Sequence, residues 1–200
     1  MDKRSYLSSY VFRDREPLSL RGVYGTCAVS RQEMQNCIEL NDPDALIALS
    51  DSGGSRHFDS KNYKNSTSLL MHAVLCGAWR NVPVIMSYGA DPYAVEINGA
   101  SALMMASMRD DLLCMTSILS NEGNVDESNE DGETALMLAA AKGSGHAVEL
   151  LVRQGADVDA ASVWGSPVHY ACANGHYKVF RQLLEYGADV DARDHKLCTP

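Results

Sequence analysis

Residues 155–191 read "GADVDAASVWGSPVHYACANGHYKVFRQLLEYGADVD", opening and closing on the same five letters 32 positions apart. A phrase repeated at a fixed distance marks a structural unit that recurs. The small hydroxyl residue ahead of "PVHYACANG" sets the register. Its equivalents are Ser68, Ser101, Thr134, Ser166 and Thr199, spaced by 33, 33, 32 and 33 residues. The one short interval falls on the loop that carries Trp164.

The text after each of the first four hydroxyls agrees: "SLLMHAVLCG" from Ser68, "SALMMASMRD" from Ser101, "TALMLAAAKG" from Thr134 and "SPVHYACANGH" from Ser166. The hydroxyl suits the capping position of a helix, whose first N–H groups lack partners. Pro167 suits a first helical turn. Leu136, Ala139 and Ala140 recur at helical spacing, and small alanines let helices pack closely. A second apolar helix follows in each unit: "VIMSY" (84–88), "MTSILSN" (115–121), "VELLVRQ" (148–154) and "VFRQLLEY" (179–186). Gly143 and Gly175 stand where the first helix must stop, and Gly89, Gly155 and Gly187 where the second must, positions that favour positive φ. One such unit cannot bury its apolar face alone, but a stack can.

A 33-residue unit with these motifs resembles the ankyrin-repeat family, over about residues 31–200. The resemblance implies an all-α solenoid of stacked helix–turn–helix units with β-hairpin-like finger loops. The repeats fall near 63–95, 96–128, 129–161 and 162–193. Residues 31–54, two short helices broken near Asn41–Pro43, read as a degenerate capping repeat, with Asp42 before Pro43 as a helix start. Residues 1–30 lack helical periodicity and read as a flexible arm, or as a docking peptide, given Tyr6, Tyr10, Phe12 and Tyr24. Thr199-Pro200 stands where a further repeat would open, so residues 194–200 are expected to begin a repeat continued in a longer protein.

Four departures from the pattern stand out. Pro83 lies in a second helix, so that helix should start late, with Asn81 near the cap and Pro83 in the first turn. Glu122 takes a turn glycine's place, so either Gly123 adopts that geometry or the repeat is loosened there. Asp110 replaces the mid-repeat glycine. The shortened loop at Trp164 should make the fourth finger tighter than the others.

Composition limits the function. The 200 residues are 46% hydrophobic and 22% charged, ordinary for a folded protein. No apolar run approaches the roughly 18 residues of a membrane span, and the N-terminus "MDKRSYLSSYVFRDREP" has no secretory core. The expected location is cytoplasmic or nuclear, without secretion. The six cysteines are scattered and form no Cys-x-x-Cys pair, so neither a disulfide framework nor a zinc site is expected. Net charge is −9, and residues 1–30 carry five basic against three acidic side chains, leaving −11 for the rest. An acidic body disfavours the phosphate contacts of nucleic-acid binding and suits neutral or basic protein partners.

No catalytic order, phosphate-cradling loop or carboxylate pair stands out, and no cofactor or metal is expected. His169 and His176, seven apart, invite a metal reading, but the resemblance implies structural hydrogen bonds at both. His72, one position off the motif, should pack or cap. What remains is a surface. The resemblance implies partner binding along the concave face, on finger tips and the ends of first helices. Carried over, this gives Ile97, Glu130, Asp131, Val163 and Trp164 at tips, and Met108, Arg109 and Asn174 on helices. Ile97, Met108, Val163 and Trp164 are apolar where water-facing residues are expected, which marks an interaction site. Trp is also enriched at binding hot spots. Glu130 and Asp131 belong to an acidic finger that would select basic residues. The competing reading folds Trp164 back onto its neighbours and leaves the acids as solubilising charge.

The expected function is protein–protein recognition by an adaptor or scaffold within a larger protein. One alternative is a substrate-recognition or targeting module of a multidomain enzyme such as a ubiquitin ligase. Another follows from Met in the motif's His position ("TALM", "SALM"), which resembles the germ-cell ankyrin, SAM and leucine-zipper proteins and implies a germline small-RNA scaffold.

Overall fold

The computed structural model describes residues 29–53, 68–92, 99–120, 124–194 and 198–200. Residues 1–28 of the arm, Ile97 and the Glu122–Gly123 turn lie outside these residues. The described part is ten helices in five pairs: α1 (Arg31–Glu39) and α2 (Pro43–Asp51), α3 (Leu69–Cys76) and α4 (Val82–Ser87), α5 (Ala102–Met108) and α6 (Leu112–Leu119), α7 (Ala135–Lys142) and α8 (Gly145–Arg153), α9 (Pro167–Ala173) and α10 (Tyr177–Glu185). The first helices stack as one row, α1–α3–α5–α7–α9, and the second helices as another, α2–α4–α6–α8–α10. The core lies between the rows. Ala73, Ala106, Ala139, Ala140 and Ala171 are fully buried there beside Leu103, Leu136 and Leu151. Side chains this small let the first helices approach closely, and the larger residues fill the space between layers.

The hydroxyls cap as expected in three repeats: Ser68 accepts from the Met71 N–H, Ser101 from Met104 and Thr134 from Met137. Ser166 differs. Its N–H donates to His169 Nδ1 at 3.2 Å and its hydroxyl lies 3.0 Å from the same nitrogen, so the histidine at the third helical position closes the cap. In the first pair Asp42 caps α2 through the Asp44 and Ala45 N–H groups. Ser30 and Glu33 form a reciprocal capping box on α1, a signal the sequence reading passed over. Val29, just ahead of it, joins the core. Helix α4 starts late, with Pro83 in its first turn and Asn81 before it. Asn81 is buried and does not cap; its Nδ2 reaches back to the Cys37 and Ile38 carbonyls at 3.4 and 3.5 Å.

Later repeats are tied by side chains that serve orphan carbonyls at the end of the preceding first helix. Ser144 Oγ donates to the Met108 carbonyl at 3.3 Å, and His176 Nε2 to the Ala141 carbonyl at 3.0 Å. This tie explains Gly143. It sits at φ 75°, and a Cβ there would lie 2.6 Å from the His176 ring. At the equivalent place one repeat earlier, the facing residue is Ser144 rather than a histidine, and Asp110 is accommodated at φ 54°. Its carboxylate compensates for that conformation by accepting from the Ala147 N–H at 2.7 Å and from His146 Nδ1 at 2.8 Å, which caps α8 from outside its own repeat.

Candidate functional site

The fingers of the last two described repeats differ in reach. The acidic finger closes at an antiparallel bridge between Ser128 and Thr134, the next between Ser162 and Gly165. The second is the tighter turn, as the deleted residue implies. Inside the first, Asn129 Oδ1 accepts from the Asp131 and Glu133 N–H groups, leaving Glu130 and Asp131 exposed at the tip. Inside the second, Ser162 Oγ accepts the Trp164 N–H at 3.1 Å and lies 2.9 Å from the Gly165 carbonyl. Val163 and Trp164 emerge 51% and 56% exposed. The Val163 N–H donates to the Asp131 carbonyl at 3.2 Å, so the two tips lie side by side.

Trp164 forms one wall of a groove of about 370 Å³ whose other walls include Tyr170, Ala173, Asn174, Asp194 and Pro200. His169 sits at the base. Its Nδ1 accepts from the Ser166 N–H at 3.2 Å, so the proton belongs on Nε2, which faces the Cys198 carbonyl at 3.1 Å. A ring occupied at both nitrogens is a structural strut, as is His176. His72 packs against the capping repeat, its Nε2 3.8 Å from Glu39.

The structure thus brings Trp164 and Asn174 into one groove and sets Glu130, Asp131 and Val163 beside it. Met108 and Arg109 are not part of it. They end α5, which α7 separates from α9, and Met108 is half-buried with its carbonyl engaged by Ser144. Tyr170 and Asn174 of α9, and not Met108, line the groove with Trp164. Tyr170 went unnoticed in the sequence, where it is only the residue after the motif histidine.

Two buried thiols are chemically quiet. Burial pushes Cys37 up to about 11, with the charges of Asp42 and Glu33 adding to it. Burial pushes Cys114 up to about 12, with Asp111 reinforcing it. Among the described residues no group of three or more His, Cys, Asp or Glu could hold a metal ion, and no helix is long and apolar enough to cross a membrane.

A two-row helical solenoid whose surface features are finger tips and a groove is a repeat-type recognition module. The chain belongs to the ankyrin-repeat family: the family profile for ankyrin repeats (3 copies) matches residues 70–162 and 103–194. It is 33% identical over 146 residues to the mouse B-cell lymphoma 3 protein homolog, covering 70% of this chain and 32% of that one. It is 36% identical over 105 residues to the E3 ubiquitin-protein ligase KEG of Arabidopsis thaliana, covering 50% of this chain and 6% of that one. The chain therefore spans about a third or less of these relatives' lengths. The crystal structure of the ankyrin repeat domain of Bcl-3, described as a unique member of the IkappaB protein family, superposes with a TM-score of 0.74 at 23% identity, over 84% of this chain and 76% of that one. The ankyrin fold is a non-catalytic module of protein–protein interaction.

Proposed function

We propose that this chain is the recognition domain of an adaptor or scaffold, and that it holds a protein segment presenting an apolar side chain next to Lys or Arg. The observation that carries this reading is Trp164: a large aromatic side chain, more than half exposed, at a finger tip that borders a groove and adjoins Glu130 and Asp131. Exposed aromatic surface of this kind is the usual anchor of an interface. Exposed carboxylates at its rim chiefly govern approach and partner choice. Asn174, across the groove, offers polar atoms to the partner's backbone. Met108 and Arg109, at the end of α5, would form a second, outlying part of that surface. Nucleic acid is a poor fit for this acidic body.

A peptide library displayed on phage and panned against the wild-type chain should enrich an apolar residue flanked by Lys or Arg. The Trp164→Ala chain should lose that enrichment. Equal enrichment on both proteins contradicts the proposal.

A second reading, a targeting module attached to an enzyme, draws support from the similarity to the plant E3 ubiquitin-protein ligase. In that case the same surface would choose the substrate.

A further inference from the structure

The backbone of the exposed Trp164 is held by a chain of hydrogen bonds that crosses from one repeat to the next. Tyr170, on α9, donates its phenolic proton to Glu133 Oε1 of the acidic finger at 2.8 Å. The other Glu133 oxygen accepts from Asn129 Nδ2 at 2.9 Å, within the same finger. On its far side the Tyr170 oxygen lies 3.1 Å from Ser162 Oγ. Because the phenolic proton is committed to Glu133, Ser162 is the donor there, and its single hydroxyl proton faces both Tyr170 and the Gly165 carbonyl. The lone pairs of Ser162 in turn receive the Trp164 N–H. Every member is half-buried or at the tip, where loose side chains would otherwise be expected.

We infer that the sequence Glu133–Tyr170–Ser162 is a positioning brace, which fixes Trp164 over its groove and locks the aromatic finger to the acidic one as a single recognition surface. This rests on the proposed role of Trp164 and adds what sets its posture. An anchor already held in place loses less freedom when a partner arrives. A fixed spacing between aromatic tip and carboxylates also makes the surface selective for one separation of apolar and basic residues in the partner. The phenol's own chemistry agrees. Burial raises the Tyr170 pKa most; the Ser162 bond pulls the other way, while the bond and charge of Glu133 and the charge of Asp131 push it further up. Tyr170 therefore remains a proton donor throughout the ordinary pH range.

The test uses Trp79→Phe protein, in which Trp164 is the sole tryptophan. Tyr170→Phe keeps the ring and deletes the hydroxyl. At temperatures well below melting, the fluorescence anisotropy of Trp164 should fall, and its amide should exchange about tenfold faster, as expected on weakening one hydrogen bond. Glu133→Ala should do the same, while Glu133→Gln, which keeps an acceptor oxygen, should restore most of the order. If Tyr170→Phe proves too unstable, the Glu133 pair carries the same comparison. Unchanged anisotropy and exchange beside a lowered melting temperature would make Tyr170 merely structural and overturn the inference. A library-selected peptide separates this from the recognition proposal. If peptide affinity ignores Trp164→Ala while Tyr170→Phe still frees the indole, the recognition reading fails and the brace stands.

Discussion

Leu136 shows what a single core residue supports. It is 1% exposed on α7, between the helix rows. Leu136→Ala should cost roughly 2–5 kcal/mol in urea melts, the transfer free energy plus an incompletely collapsed cavity. Gly143 is constrained for a different reason. Gly143→Ala should cost about 1 kcal/mol for the left-handed backbone, with more added because the new methyl meets the His176 ring. Gly143→Ala combined with His176→Ser should recover part of that loss, since the ring is then gone. If the double variant is no better than the sum of the singles, the ring is not the obstacle. Positions like these were legible in the sequence because a buried leucine at helical spacing and a glycine at a helix end each have one physical meaning. Asn81 was legible only in part. Its place before Pro83 was evident, but its bonds to Cys37 and Ile38 depend on how two repeats stack, which no local pattern encodes.

At the scale of elements, Asp110 joins two repeats. It serves α8 from the end of α5, through the Ala147 N–H and His146. Asp110→Ala should destabilise the protein by about 1–2 kcal/mol, the usual worth of a lost cap. Asp110→Gly should cost about 1 kcal/mol less than Asp110→Ala, because glycine adopts positive φ freely. Equal losses would show that the conformation carries no strain. The pair also sets a pH signature. The hydrogen bond and charge of Asp110, with a smaller contribution from Glu149, raise the His146 pKa above 6.5, against slight desolvation. A raised folded-state value means that the pair's contribution is complete below 6.5 and fades as pH rises through the folded value. An NMR titration of His146 should give a midpoint above 6.5 that returns to the ordinary range in Asp110→Asn. The sequence flagged Asp110 as an irregularity, and the repeat register located both fingers. It could not show that Tyr170 and Asn174, and not Met108, line the groove with Trp164. Bridges such as Ser162 to Tyr170 to Glu133 span two repeats, whereas a register compares each repeat only with itself.

For the whole molecule, stability is shared between neighbours, as in any solenoid. The loss in Leu136→Ala should therefore spread to amide exchange in the flanking repeats as well as its own. The acidic body adds long-range steering. Reversing Glu130 and Asp131 to Lys should chiefly slow association with a basic, library-selected peptide, more at low salt than at high. An effect confined to dissociation, or insensitive to salt, would mean that the carboxylates make direct contacts instead. Recognition through the fourth finger is tested most directly by measuring the affinity of one selected peptide for wild-type and Trp164→Ala protein, with melts run in parallel. The exposed indole should be dispensable to the fold and essential to the surface. The expected result is a loss of about 2 kcal/mol or more in binding, with stability unchanged to within about 0.5 kcal/mol. A melted variant whose remaining folded fraction binds with unchanged affinity would contradict it, and would make Trp164 a structural plug.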